Sequence, residues 1–200
     1  MELQEAIKTR RSTRKFKSTP VEKEKVEAII QAGRLAPSGG NTQTTHFMVV
    51  TNPDVLSKLV KLVQEEYGKM PITDTTLPYM VNIIKSAAEG KFVFNYGAPM
   101  LVIMANKRDY GNNFADVACA MQNMMLTANE LDLANVWVNQ LRWLCDNERI
   151  NTYLKEIGLH DDEMVCASLA VGYSDLPDGK PVRVPGKIKG YEVTYIDSML

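Results

Sequence analysis

Residues 36–43 read Ala-Pro-Ser-Gly-Gly-Asn-Thr-Gln, and the rest of the chain is interpreted around them. The stretch follows a predicted helix that begins near Glu22 and precedes a predicted strand at 46–51. We expect Pro37 to end that helix, because proline lacks an N–H and its ring clashes with the preceding turn. The stretch is therefore a helix-to-strand loop with no charged residue.

The composition of this loop allows ligand binding but does not require it. Gly39 and Gly40 permit positive φ and a close approach of the backbone to a ligand. Asn41 and Gln43 carry amides that both donate and accept hydrogen bonds. A Gly-Gly turn with polar neighbours is usually only a turn, so the loop alone leaves its purpose open.

The whole chain has the composition of an ordinary globular protein. Its 200 residues are 45% hydrophobic and 24% charged, with a net charge of -1. We expect one domain over 1–200, and the balanced charge gives no reason to expect nucleic acid or an anionic membrane as a partner. The three cysteines are far apart and the two histidines, His46 and His160, are isolated in sequence, so we expect no metal site and no disulfide. Because residues 1–8 lack the apolar run of a signal peptide and no stretch resembles a membrane span, we expect a cytoplasmic protein.

Hydrophobic periodicity predicts an alternation of helices and strands. The predicted helices cover 2–10, 22–35, a segment beginning at 52–54, then 77–89, 114–131 and 148–157, and the predicted strands cover 46–51, 99–105, 135–141, 165–173 and 191–196. The run 99–105 is apolar throughout, as in a strand buried on both faces. Residues 68–97 are loosely patterned and either cover a pocket or form an insertion packed on the core.

A basic run at residues 10–17 follows the first helix. It holds five cations in eight residues, interleaved with Ser12, Thr13 and Phe16. A solvated surface is one interpretation. The other is a phosphate site, because guanidinium groups form paired, charge-assisted hydrogen bonds with phosphate oxygens.

Four stretches in this order resemble the FMN-dependent nitroreductase family, over nearly the whole chain. Residues 10–16 are similar to its R-R-S-x-R-x-F, and 36–43 to its A-P-S-x-x-N-x-Q. Residues 116–123 are similar to D-x-A-x-x-x-Q-N, and 133–138 to L-x-x-x-W-V. The closing G-Y…K-x-x-R-x-P is matched by Gly172, Tyr173, Lys180, Arg183 and Pro185.

The resemblance implies an α+β fold, with a central mixed or antiparallel sheet flanked by helices. It further implies a homodimer that binds FMN at the subunit interface and exchanges its C-terminal strand, 191–196, with the partner. The implied activity is hydride transfer from NADH or NADPH through flavin N5 to nitroaromatic, quinone or similar small-molecule acceptors, in a ping-pong sequence with no catalytic side chain.

The resemblance also assigns roles to residues. Arg10 and Arg183 would hold the phosphate, Arg11 and Ser12 would line the phosphate and ribityl region, and Arg14 would face the N1/O2 edge of the ring. From the other subunit would come the loop residues Pro37, Ser38, Gly39, Asn41 and Gln43. Backbone N–H groups at Asn139 and Gln140 would lie near O4 and N5.

Two departures from the family pattern and three alternatives remain. Thr44 and Thr45 replace the common Pro-Trp pair, and Asn139-Gln140 stands where glycine is frequent. The first alternative is a specialised reaction within the fold that the resemblance implies, such as dehalogenation, flavin breakdown or oxidation of a peptide-derived ring. A flavin-binding or redox-sensing module without turnover is a second alternative, and a protein whose basic clusters bind a surface partner is the third.

Overall fold

A computed structural model describes residues 1–196. In chain order the elements are α1 Leu3–Thr9, α2 Lys23–Arg34, a 3-10 turn Gly39–Asn41, β1 His46–Val50, α3 Pro53–Gly68, α4 Pro78–Ala88, β2 Met100–Lys107, α5 Asn113–Glu130, β3 Ala134–Val138, α6 Gln140–Trp143, α7 Glu148–Glu156 and β4 Glu163–Gly172.

The strands form one four-stranded sheet in the order β1-β2-β4-β3, and each neighbouring pair is antiparallel. This confirms the α+β class and the antiparallel form of the predicted sheet. Strand β4 carries one extra residue where Met104 pairs with Ala167 and Ala105 pairs with Val165. Such a bulge bends and twists the strand locally.

The sheet is covered on both faces, as the apolar run in β2 predicts. Leu101, Ile103 and Ala105 pack into the core formed with α3, α4, α6 and α7. The alternate residues Met100 and Met104 pack into the second core, formed with α2 and α5. Side chains of a strand alternate between faces, so β2 has to be apolar at every position.

Two predicted strands differ from the structure. The strand predicted over 135–141 ends at Val138, because the chain turns at Asn139 into the short helix α6. Residues 191–196 pair with no strand of the described chain, and the side chains of Tyr191 and Tyr195 are 90% and 84% exposed. A strand there would need a second chain, so its exchange with a partner stays a prediction.

Within residues 1–196, no helix is both long enough and apolar enough to cross a membrane.

Candidate functional site

Arg10 ends α1, and its half-buried guanidinium has one nitrogen without a hydrogen-bond partner in residues 1–196. It is the C-terminal cap of the helix, and its Nη1 is buried with no hydrogen-bond acceptor among residues 1–196. Burial, and then repulsion from the neighbouring Arg11, lower the pKa of Arg10. A buried donor that lacks an acceptor is destabilising, so this guanidinium is set for an anion that the chain itself does not supply.

Arg11 is already engaged with the end of α1. Its guanidinium donates to the carbonyl oxygens of Lys8, at 2.8 Å, and of Arg10. These carbonyls lie at the C-terminus of the helix, where acceptors lack intrahelical partners and carry a partial negative charge. Arg11 therefore has a capping role that the sequence did not predict.

Residues 12–14 run beside the sheet. Ser12 forms a parallel bridge with Asn135 of β3, and the Thr13 N–H donates to the Asn135 carbonyl at 3.0 Å. Arg11, Ser12 and Arg14 line an open groove of about 430 Å³, whose far wall is formed by residues 174–176 and 182. Three of the predicted cofactor residues thus share one groove.

Arg183 reaches the same end of the molecule as Arg10. Asn129 of α5 donates to the Ala6 carbonyl of α1, at 3.4 Å, and accepts from Arg183 Nε at 3.4 Å. Arg183 also donates to the Asn129 carbonyl and forms an ion pair with Asp132, with 2.6 Å between Nη2 and Oδ1. The two arginines predicted to hold a phosphate are therefore joined through α5, although one of them is paired with a carboxylate.

Asp132 is the anion that a phosphate would have to displace from Arg183. Its Oδ2 also lies 3.1 Å from Lys180 Nζ. Burial by itself raises the pKa of Asp132, but hydrogen bonds from Arg183 and Lys180 outweigh it, so the pKa falls below its usual value. Asp132 stays a carboxylate at neutral pH and holds the 180–183 segment against α5.

The loop at 36–43 has a strained backbone. Gly40, Asn41 and Gln43 have φ of 58°, 54° and 50°, a left-handed region that non-glycine residues seldom occupy. Gln43 Nε2 donates to Asn41 Oδ1 at 2.9 Å, and the Gln43 N–H donates to Ser38 Oγ at 3.1 Å. These hydrogen bonds hold the strained backbone in one conformation, as is found in loops that bind ligands.

Of the two glycines that permit positive φ, Gly40 adopts it and Gly39 does not. Glycine is needed at 39 for close approach to neighbouring residues: an added Cβ would lie 2.2 Å from Asn112 Nδ2 and 2.6 Å from the Tyr110 hydroxyl. The crowding arises because Tyr110 and Asp116 clamp the loop. Asp116 Oδ1 accepts from the Gly39 N–H at 3.0 Å, and the Tyr110 hydroxyl lies 3.0 Å from the Gly39 carbonyl.

Apart from Asn139 and Gln140, the predicted cofactor residues therefore form two groups at opposite ends of α5. Asp116, in its first turn, anchors the loop, and Asn129, in its last turn, anchors Arg183 and α1. Thirteen residues at 1.5 Å each place these anchors about 20 Å apart along the helix. The loop side chains Pro37, Ser38 and Gln43 line a separate cavity of about 140 Å³. One chain does not bring the loop next to Arg10 and Arg183.

Asn139 and Gln140 form the first turn of α6. Asn139 Oδ1 accepts from Trp137 Nε1 at 2.7 Å, so its side chain is held to the strand. Gln140 is buried, and its Oε1 has no donor among the described residues. An unsatisfied buried acceptor therefore lies in the turn that is predicted to contact a ring edge.

Sequence reasoning missed the residues that hold these groups in place. Tyr110, Asp132 and Asn129 were assigned no role in binding, because their partners lie far away in the chain. His46 and His160 are isolated in sequence but adjacent in the structure, with ring centroids 4.8 Å apart. They meet because β1 and β4 begin at the same end of the sheet.

Comparisons with known proteins agree with this geometry. A family model described as Nitroreductase family matches residues 7–173. The fold is similar to that of a nitroreductase with bound FMN from Bacteroides fragilis, with a TM-score of 0.85 and 29% identity over 98% of this chain and 100% of the other.

Two relatives also match over most of their length. A protein from Archaeoglobus fulgidus, provisionally named NADH dehydrogenase/NAD(P)H nitroreductase, is 28% identical over 84% of this chain and 82% of its own. The nitrobenzene nitroreductase of Ectopseudomonas oleovorans is 26% identical over 89% of this chain and 90% of its own.

Proposed function

Because this chain belongs to the nitroreductase family, we propose that it is an FMN-dependent oxidoreductase that uses NADH or NADPH to reduce nitroaromatic, quinone or similar electron-poor acceptors. The observation that carries the proposal is the buried Arg10 Nη1, which has no acceptor among residues 1–196. A phosphate oxygen supplies the missing acceptor and the missing charge, and charge-assisted bonds of this kind are the strong ones.

Arg183 completes the phosphate site in this proposal. It lies against the same end of α5 as Arg10 and is now paired with Asp132. A phosphate carries more charge than a carboxylate and accepts more hydrogen bonds, so it competes well for a planar guanidinium. Lys180, which also contacts Asp132, leaves the carboxylate with a partner when Arg183 turns to the phosphate.

The loop residues Pro37, Ser38, Gly39, Asn41 and Gln43 are proposed to come from a second copy of the chain. Within one chain the loop anchor and the Arg183 anchor are about 20 Å apart along α5. The exposed apolar side chains of the C-terminal segment, such as Ile188 and Tyr195, give a second reason to expect a partner, since large apolar groups in a row are seldom left in water. A homodimer with a flavin at each of two shared sites satisfies both observations.

Bound FMN would supply the redox chemistry, by accepting hydride from NADH or NADPH at N5 and passing it to an acceptor. The chain itself binds and orients. Arg14, an exposed cation of the groove, is proposed to face the N1/O2 edge, where a positive charge stabilises a reduced ring. The N–H groups at the start of α6 and the unsatisfied Gln140 Oε1 are proposed to fix the opposite edge.

An aromatic acceptor fits the surface beside α6. Tyr79 of α4 and Trp143 of α6 are about half exposed, and their ring centroids are 6.4 Å apart. Such a pair offers flat apolar area for a planar ring. The Ectopseudomonas relative carries nitrobenzene in its name, which supports a nitroaromatic among the acceptors of this chain.

The test is a spectrum of the purified protein followed by anaerobic titration with each nicotinamide. We expect flavin absorbance that is bleached by NADH or NADPH and restored by a nitroaromatic or a quinone. A colourless protein that takes up no added FMN would overturn the proposal. Flavin that is retained but reduced by neither nicotinamide would favour the sensing module instead.

A further inference from the structure

Two histidines and a buried glutamate meet at one end of the sheet, where His46 lies three residues beyond the loop at 36–43. His46 is the first residue of β1 and Glu163 is the first of β4, while His160 lies in the turn between α7 and β4. Strand β2 lies between β1 and β4, with Ala105 opposite His46 and Lys107 opposite Glu163. This register brings three potential metal ligands together from distant parts of the chain.

The donor atoms of the three side chains converge. His46 Nδ1 lies 2.9 Å from Glu163 Oε2, and His160 Nδ1 lies 3.2 Å from Glu163 Oε1. The two imidazole rings are nearly parallel, at 14°, and one ligand atom from each of the three residues lies within 4.8 Å of the others. Both histidines thus direct the same ring nitrogen to one carboxylate.

The carboxylate is rigid and the cluster opens to solvent on one side. The Glu163 side chain is 7% exposed, whereas those of His46 and His160 are 29% and 67% exposed. The His160 N–H donates to Glu163 Oε2 at 3.1 Å, and the Glu163 N–H donates to the His160 carbonyl at 3.2 Å. These backbone bonds fix the position of Glu163, whereas the exposed His160 ring is free to rotate slightly.

We propose that His46, His160 and Glu163 bind a late first-row divalent metal ion of the Zn²⁺ class. Ligands about 2.0–2.2 Å from a tetrahedral zinc ion are separated from each other by roughly 3.3 Å. The distances from His46 Nδ1 to Glu163 Oε2, 2.9 Å, and from His160 Nδ1 to Glu163 Oε1, 3.2 Å, are close to that ligand-to-ligand separation. Imidazole and carboxylate together are suited to Zn²⁺, Ni²⁺ or Cu²⁺, and the open side leaves a position for water.

A hydrogen-bonded clasp without metal explains the cluster less well. Glu163 Oε2 already accepts from the His160 N–H and lies 2.9 Å from His46 Nδ1, so this oxygen is satisfied without the exposed His160 ring. The neighbouring carboxylates do not account for the pair, because Asp161 is bonded to Lys155 at 2.6 Å and Asp162 to Lys107 at 3.3 Å. A metal ion gives both imidazoles a role, because it binds the lone pair of each ring nitrogen in the plane of that ring, after a small rotation of the exposed His160.

The experiment is calorimetric titration of the full chain with ZnCl₂, followed by reversal with EDTA. The Cys119→Ser background excludes the exposed thiol as an accidental ligand. We expect one Zn²⁺ per chain and a melting temperature that rises with Zn²⁺ and returns with EDTA. Since loss of a second-shell partner alone weakens metal binding about 10–100-fold, His160→Gln, which removes a ligand, should weaken it by about 100-fold or more.

Asp161→Asn is the matched control, because it removes a carboxylate from the same turn that does not face the cluster, and it should leave Zn²⁺ affinity unchanged. His46→Gln gives a second ligand variant from another strand. No Zn²⁺ uptake by the Cys119→Ser protein, or uptake that both histidine variants retain at full affinity, would overturn the proposal.

Discussion

Replacing Arg10 with methionine is expected to raise the stability of the flavin-free protein while weakening FMN binding. Arg10 Nη1 is buried without an acceptor among residues 1–196, and its pKa is lowered by burial and by Arg11. An unsatisfied buried donor costs about 1–3 kcal/mol. Methionine keeps much of the apolar contact made by the stem of the arginine side chain but removes that cost.

Arg10→Met is expected to increase the free energy of unfolding of the flavin-free protein but to weaken its binding of FMN. Without FMN, Arg10→Met should gain about 1 kcal/mol, equivalent to about 2–4 °C in melting temperature for a chain of this size. With FMN, the variant lacks a charge-assisted bond worth about 1.5–3 kcal/mol, so the dissociation constant should rise about 10- to 150-fold. Arg183→Met should weaken FMN binding too, but it should also destabilise the flavin-free protein, because it breaks the ion pair with Asp132 and the bonds to Asn129.

The assay pairs urea denaturation of flavin-free protein, at one fixed protein concentration, with fluorescence titration of FMN. Lys85→Met is the control, since Lys85 is an exposed cation of α4 outside the residues proposed for the flavin, and it should change neither quantity greatly. A destabilised flavin-free Arg10→Met protein with unaltered FMN affinity would refute the reasoning, because it would mean that Arg10 supports the fold and not the phosphate.

Three further substitutions test other parts of the structure. Tyr110→Phe removes the hydroxyl that lies 3.0 Å from the Gly39 carbonyl and should weaken FMN binding by about 1 kcal/mol, roughly fivefold, in the same titration. Hydrogen bonds from Lys69 lower the pKa of Glu66 from 4.5 to about 2, so Glu66 adds stability above pH 4.5 that is lost as the pH falls through 2. Glu66→Gln should therefore cost about 1–2 kcal/mol in urea denaturation near neutral pH and nothing in strong acid, and an equal cost at both would contradict the assignment. Gly172→Ala places a Cβ 2.6 Å from Pro99 Cδ, and thermal denaturation should show a loss of about 1–3 kcal/mol from overpacking.

Local sequence patterns predict most of the helices and strands. The uninterrupted apolar run at 99–105 predicts a central strand covered on both faces, and β2 has that position. Pro37 and the polar residues after it predict where α2 ends, and the helix ends at Arg34. These features depend on neighbours in sequence, where periodicity and breakers act directly.

Contacts between distant residues could not be predicted. The pairing of Arg183 with Asp132, the clamp of Tyr110 on Gly39 and the meeting of His46 with His160 each join residues from separate elements. Periodicity indicates which face of an element is buried but not which polar side chain stands opposite. The requirement for glycine at position 39 could not be predicted for the same reason, since a Cβ there would clash with residues 110 and 112.

The binding residues had a different source. Arg10, Arg14 and Arg183 are predicted from their place in motifs that resemble a family, whereas the composition of the basic run alone is more typical of a solvated surface. The structure adds what the motifs lack: one unsatisfied guanidinium, one paired with a carboxylate, and a loop held at the far end of α5.

The FMN content of mixed dimers tests the shared site most directly. Arg10→Met removes the phosphate side of the site, and Asn41→Trp is expected to block the loop side, so dimers of either variant alone should bind little FMN. When the two variants are unfolded together and refolded, each mixed dimer has one site with both defects and one with neither, so about a quarter of all sites should recover full FMN affinity. No recovery, in a mixture that contains mixed dimers, would contradict a flavin site built from Arg10 of one chain and the loop of the other.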